Sequence, residues 1–271
     1  MRDDFDGADL SPRWTRTYPG GSDLACAASV LRLSFSRAAR SRYTDAQIDD
    51  YDHLPRHKFP WRPPLRMDVR ARASHPQHPP TPASPSSADA STLVGTAGFG
   101  FWNYPFSTSG AVLTLPEAVW FFYASPPANM ALVPGIPGWG WKAQVVHARR
   151  WGALAAAGPA LAAMGWARVT GREAPAARLL RQVSGATEAH LTPSLTEWHD
   201  YTIHWQRESA RFLVDGEDVL VAPNPPTGPL GFVAWIDNQY AVATPRGQLR
   251  FGTLDAGPQW LELAHVHITS L

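Results

Sequence analysis

Residues Trp198–Gly216, reading W-H-D-Y-T-I-H-W-Q-R-E-S-A-R-F-L-V-D-G, alternate with period two. His199, Tyr201, Ile203 and Trp205 fall on one face, and Asp200, Thr202, His204 and Gln206 on the other. A strand with one buried side gives this pattern, because successive side chains of a strand point to opposite faces. Arg207-Glu208-Ser209 interrupts it and Ala210–Val214 resumes it. Asp215-Gly216 is a two-residue hairpin signal, since such turns need positive φ, which Gly adopts freely. The chain here is a β-meander, which places it in a fold class with antiparallel sheet.

Further segments read the same way. Ser29–Ser36 and Leu65–Ala73 alternate, with Arg and Asp on the wet face of the second. Tyr43–Tyr51 carries a short strand or turn with an acidic group, Asp45, Asp49, Asp50 and Asp52. Thr92–Trp102 and Ala118–Ser125 are apolar and aromatic without strict alternation, as in strands covered on both faces. Trp141–Ala148, Gly228–Ile236, Gln248–Leu254 and Trp260–Ile268 complete the set. Residues 74–91 have little to bury and many prolines, which predicts a flexible loop with His75 and His78 solvated. Residues 149–166 and 174–183 have helical composition, interrupted at Pro159. The expectation is one domain over 1–271: an all-β sandwich of two antiparallel sheets, with a helical insertion near 149–190.

Several function classes are disfavoured. Formal net charge is +1, which gives no global attraction to nucleic acid or an anionic membrane. No run is long and apolar enough to span a bilayer, and Met1-Arg2-Asp3-Asp4 does not begin a signal peptide, so the expected location is cytoplasmic. Cys26, the one cysteine, excludes an internal disulfide. No phosphate-binding, zinc-protease or nucleophile-elbow motif is present. His265 and His267 are expected on opposite faces of their strand, the wrong geometry for one metal. No metal or cofactor is expected. The chain holds 12 Trp, each with a flat apolar face and one N–H donor, suited both to packing a core and to stacking on sugar rings.

H-x-Y-x-I-x-W followed by F-x-V-D-G, carried by His199, Tyr201, Ile203, Trp205, Phe212, Val214, Asp215 and Gly216, resembles the hairpin of the concanavalin A-like lectin/glucanase superfamily. The laminarinase and β-glucanase family of glycoside hydrolases is the nearest likeness. Asp4-Phe5-Asp6-Gly7 is similar to that family's N-terminal arm, Met67–Arg72 to its E-V-R-A-K strand, and Gly98–Trp102 to its A-F-W strand. The resemblance implies a jelly roll with carbohydrate bound across a concave sheet, whose middle strands here are 98–103, 118–125, 141–148 and 229–240. It also implies E-x-D-x-x-E on one strand, supplying two carboxyls about 5–5.5 Å apart for retaining hydrolysis. The corresponding stretch, Pro116–Ser125, holds Glu117 and no second carboxylate. The family's calcium-binding aspartate falls at Ala264.

The candidate ligand-binding residues are therefore Trp102, Trp120, Trp141 and Trp235 as an aromatic floor, with Asn103, Tyr123, Asn238 and Gln239 as polar partners. Asp237 and Asn238 also suit a hairpin turn. Glu117 and Asp237 are the candidate acids, with His147 as a base. The expected partner is a carbohydrate or other small molecule, and the expected function is that of a divergent hydrolase or a lectin-like binder. The alternatives are a non-catalytic sandwich holding a flat apolar ligand, and an enzyme of another class with the insertion as a lid.

Overall fold

The computed structural model describes residues 1–79, 91–104, 116–129, 133, 135–147, 185–243 and 249–271. Its strands are β1 (Arg2–Asp3), β2 (Thr15–Thr17), β3 (Ser22–Ala27), β4 (Val30–Phe35), β5 (Asp45–Asp49), β6 (Leu65–Ala73), β7 (Thr96–Trp102), β8 (Glu117–Ala124) and β9 (Gly140–His147). They continue with β10 (Thr187–His190), β11 (His199–Trp205), β12 (Ser209–Val214), β13 (Glu217–Pro223), β14 (Gly231–Asp237), β15 (Gln239–Ala243), β16 (Leu249–Thr253) and β17 (Gln259–Ser270). One sheet runs β13-β12-β11-β6-β17-β4-β3, with β1 also paired to β17. The second runs β10-β9-β8-β7-β14-β5-β2, and β15 and β16 form a separate hairpin. The pairings within both sheets are antiparallel.

This is the expected antiparallel β-sandwich. The expected helical insertion lies outside the described residues except for its last part, and there Thr187–His190 is a strand on the edge of the second sheet. Among the described residues no helix is long and apolar enough to cross a membrane.

The opening alternation decides what meets between the sheets. Tyr201, Ile203 and Trp205 of β11 are buried, and β12 adds Ala210, Phe212 and Val214. Asp215 and Gly216 have φ of 51° and 83°, the paired positive values that a tight turn between right-twisted strands requires. His199 Nδ1 lies 2.5 Å from Asp215 Oδ2, which ties the strand to its turn. The second sheet contributes Ala97, Phe99 and Phe101 of β7, Val119, Phe121 and Tyr123 of β8, Trp141, Ala143 and Val145 of β9, and Phe232, Ala234 and Ile236 of β14. Each such large apolar side chain contributes about 1.5–3 kcal/mol on leaving water.

The four middle strands grouped from the sequence are neighbours in the order β9-β8-β7-β14. His265 and His267 correct an expectation: residues two apart share a face, and their rings stack with centroids 4.5 Å apart. His267 also pairs with Asp4 of the N-terminal arm, Nε2 to Oδ1 2.7 Å.

Candidate functional site

Because β7, β8, β9 and β14 use alternate residues for the core, the residues between them form the outer face of the second sheet. Register assigns that face in rows. Thr96, Gly98, Gly100 and Trp102 of β7 lie opposite Ala124, Phe122, Trp120 and Ala118 of β8. On the other side of β7 they lie opposite Asp237, Trp235, Val233 and Gly231 of β14. Beyond β8, Trp120 and Phe122 lie opposite Gln144 and Lys142 of β9, which lie opposite Glu188 and His190 of β10. Beyond β14, Asp237, Trp235 and Val233 lie opposite Asp45, Gln47 and Asp49 of β5.

The aromatic residues of this face are contiguous. Trp120 and Phe122 stack at 5.3 Å with 20° between planes, Trp120 lies 5.8 Å from Trp102 and 5.3 Å from Trp235, and Phe122 lies 6.0 Å from Trp235. Tyr51 and Tyr104 continue the row beside Trp102, at 6.4 and 5.2 Å. Trp102, Trp120 and Phe122 are half-buried, whereas Trp235, 8% exposed, lies beneath the row as its support. Glycine makes the arrangement possible. A Cβ at Gly98 would lie 2.8 Å from the Trp235 ring, one at Gly100 would lie 2.6 Å from the Cα and Cβ of Trp120, and one at Gly231 would lie 2.1 Å from a Tyr51 ring carbon.

The three indole N–H groups are already committed. Trp102 Nε1 donates to Tyr51 Oη at 2.5 Å, Trp120 Nε1 to Gln144 Oε1 at 2.7 Å, and Trp235 Nε1 to Thr96 Oγ1 at 2.9 Å. Two of these bonds continue inward to carboxylates. Gln144 Nε2 donates to Glu188 Oε2 at 2.7 Å, and Lys142 Nζ lies 3.3 Å from Glu188 Oε1. Thr96 Oγ1 donates to Asp237 Oδ1 at 2.8 Å, and the same oxygen accepts the backbone N–H of Thr96 and of Gln239.

Burial shapes the charges here, since removal from water disfavours the ionised form of any group. It raises the Glu188 carboxyl against the opposing pull of Lys142, and lowers the Lys142 ammonium against the pull of Glu188. It pushes Asp237 up to about 6. Asp45, directly opposite Asp237, is held well above the usual carboxylate range by burial and then by Asp237. The nearby Tyr43 hydroxyl opposes that rise, while Asp45 Oδ1 is buried with no hydrogen-bond partner among the described residues.

Several expected site residues sit elsewhere. Trp141 and Tyr123 face the core, 2% and 0% exposed, because they have the parity of Phe121. Tyr123 Oη donates to Leu93 O. Asn238 is structural: Nδ2 donates to the carbonyls of Ala39, Arg42 and Leu254, and Oδ1 accepts from Thr44 N. Asn103 is buried, with its Oδ1 accepting Glu117 N. Gln239 is exposed at the start of β15, where its backbone closes the turn on Asp237.

The pairing of Glu117 with Asp237 is overturned. Glu117 has the parity of Val119 and Phe121, and it is seven residues along β8 from Ala124, which shares a row with Asp237, or roughly 23 Å of strand. Its neighbour is His147, Nε2 to Oε1 3.8 Å, whose Nδ1 lies 2.9 Å from Asn224 O. This pair sits at the strand ends, off the aromatic face. The residues that sequence reasoning missed are Tyr51, Phe122, Gln144, Glu188 and Lys142; Tyr104, expected with Asn103 as a polar rim after Trp102, does lie beside Trp102. A lone charge in an apolar strand, Lys142, was the available signal. Among the described residues no group of three or more His, Cys, Asp or Glu side chains is placed to hold a metal ion.

The two antiparallel sheets set the class by fold: it is a concanavalin A-like, glucanase-type fold. Among solved structures the chain is similar to one described for endo-acting O-glycanases with which prominent members of the human gut microbiota initiate mucin breakdown (12% identity, 100% of this chain and 98% of that one, TM-score 0.54). It is similar to an immunostimulatory antigen and pseudo β-1,3-glucanase of Mycobacterium tuberculosis (13%, 100% and 98%, 0.53). It is also similar to a laminarinase from Flavobacterium sp. UMI-01 (11%, 100% and 99%, 0.52). At these identities the likeness is one of fold. No protein-family model matches the chain, and no curated protein matches it in sequence.

Proposed function

We propose that the protein binds a glycan across the outer face of the β9-β8-β7-β14 sheet, lectin-like and without hydrolysing it. The observation that carries this reading is the continuous row of Trp102, Trp120 and Phe122 resting on Trp235. Its indole N–H groups are satisfied within the protein. Rings fixed in this way offer apolar faces to a sugar with little ordering cost on binding. The face of β8 toward the ligand carries Ala118, Trp120, Phe122 and Ala124, none of which can transfer a proton. The pseudo-glucanase among the structural neighbours supports a glucanase-type fold without hydrolysis.

A glycan array run beside hydrolysis assays on mixed β-glucans tests this. Binding without turnover is expected. Trp120→Ala is expected to weaken binding by about 2 kcal/mol or more, roughly 30-fold, the loss seen when a central Trp anchor is truncated. Turnover of a bound glycan would restore the hydrolase reading. No glycan binding, with uptake of flat apolar dyes that Trp120→Ala removes, would favour the apolar-ligand reading.

A further inference from the structure

Asp237 lies at the end of the aromatic face without touching it, and the connection runs through one hydroxyl. Trp235 Nε1 donates to Thr96 Oγ1, and Thr96 Oγ1 donates to Asp237 Oδ1. Trp235 in turn contacts both Trp120 and Phe122. A hydroxyl that donates to an anion becomes a better acceptor, since hydrogen bonds in a chain polarise one another, most of all where water is excluded. Asp237 is 6% exposed.

We propose that Asp237 is a positioning residue that makes the ligand-binding floor pH-dependent: its ionised form, acting through Thr96, holds the Trp235 indole in the orientation that supports Trp120. This rests on the reading of the floor as a glycan site. The groups bearing on Asp237 come from every element packed around it. Asp45 of β5 lies directly opposite, with Tyr43 near Asp45 and Asp49 further along the same strand. Thr96 of β7 and the Gln239 N–H donate to Asp237.

These surroundings assign the protons. Three donors converge on Asp237 Oδ1, which favours its anion, whereas Asp45 is left with an orphaned buried oxygen, which favours its acid form. Asp237 is thus the first of the pair to ionise as pH rises, near 6. Asp45 follows at higher pH, opposed by the charge already on Asp237.

The test reads the indole directly. The ¹H–¹⁵N resonance of Trp235 Nε1 is followed from pH 4.5 to 8, and glycan affinity is measured across the same range. The wild-type resonance is expected to titrate with a midpoint near 6, and affinity to tighten by roughly fivefold to tenfold above it, the step between a neutral and a charge-assisted bond. Asp237→Asn and Thr96→Val are expected to flatten both curves, and Thr96→Ser, which keeps the hydroxyl, to restore them. Asp45→Asn is expected to leave the midpoint near 6 in place. A merely structural Asp237 would lower the melting temperature without moving the pH profile. A flat wild-type indole resonance, or a titration that survives Thr96→Val, overturns the proposal. If no glycan binds while the indole still titrates through Thr96, the functional reading has failed and the relay stands.

Discussion

The Lys142–Glu188 pair gives the most demanding test of how this face is held. The two side chains are 3% and 0% exposed, with Nζ 3.3 Å from Oε1. Glu188→Gln removes the negative charge and leaves an ammonium in a nearly dry site. Breaking a buried pair in this way costs about 3–5 kcal/mol. Deprotonation of the stranded lysine sets a ceiling on that loss: from its reference value of 10.5 down to pH 7 is 3.5 pH units, or about 5 kcal/mol. Against a total stability of about 5–15 kcal/mol this is a large fraction. The variant's Lys142 binds protons more weakly folded than unfolded, so its stability rises with pH, by up to about 2.7 kcal/mol between pH 7 and 9. Urea unfolding at the two pH values measures both quantities. Lys142→Met combined with Glu188→Leu is expected to recover most of the loss, the remainder coming from the unpaired Gln144 amide, about 1–3 kcal/mol. A Glu188→Gln protein within 1 kcal/mol of wild type, or one whose stability is flat between pH 7 and 9, would refute the reasoning.

Other consequences can be checked separately. Trp141→Ala is expected to destabilise by about 3–5 kcal/mol, as a large core truncation, while leaving per-molecule glycan affinity unchanged; equilibrium unfolding and calorimetry on the folded fraction measure the two. Gly98→Ala would drive a methyl toward the Phe121 carbonyl and the Trp235 ring, so it is expected to weaken binding and to shift near-ultraviolet circular dichroism, even where Ala is otherwise the better strand residue. Asp50 accepts from Trp61 Nε1 at 2.6 Å and Phe232 N at 2.8 Å, yet burial pushes its carboxyl up to about 7. The folded state then binds protons more tightly than the unfolded one. The associated stability is full below about pH 4 and is lost as pH rises through about 7, up to about 4 kcal/mol. Asp50→Asn should flatten that slope in a pH series of urea midpoints.

What the sequence disclosed followed from how each strand is buried. Strand β11 has one wet face, so period two separates Tyr201, Ile203 and Trp205 from their neighbours without ambiguity, and Asp215-Gly216 states its own turn. Strands β8 and β9 carry largely apolar or buried side chains on both faces, so their pattern marks a strand without showing which residues face outward. Trp120 and Trp141 look equivalent in the chain, and only the pairing of Trp120 with Gln144, an odd three residues from Trp141, shows that they point to opposite sides. Asp45 with Asp237, and Lys142 with Glu188, meet through register between segments far apart in the chain. No local spacing announces such pairs. Asn238 looked polar and functional because a buried amide that serves three carbonyls is indistinguishable in sequence from one that serves a ligand.

The segment T-A-G-F-G-F-W of β7 shows why this face is a floor and not a second core. Its inward residues, Ala97, Phe99 and Phe101, are ordinary packing residues. Its outward residues before Trp102 are Thr96, Gly98 and Gly100, two of them with no side chain at all. Glycine weakens a strand, through backbone entropy and lost packing, so two in a central strand need a compensating contact. The compensation is lateral: the Trp235 ring from β14 reaches over Gly98, the Cα and Cβ of Trp120 from β8 press close to Gly100, and the two ring centroids meet 5.3 Å apart. Thr96, the one polar residue of the set, is then left to tie Trp235 to Asp237. A single strand therefore gives these rings room and carries their link to the titrating carboxyl.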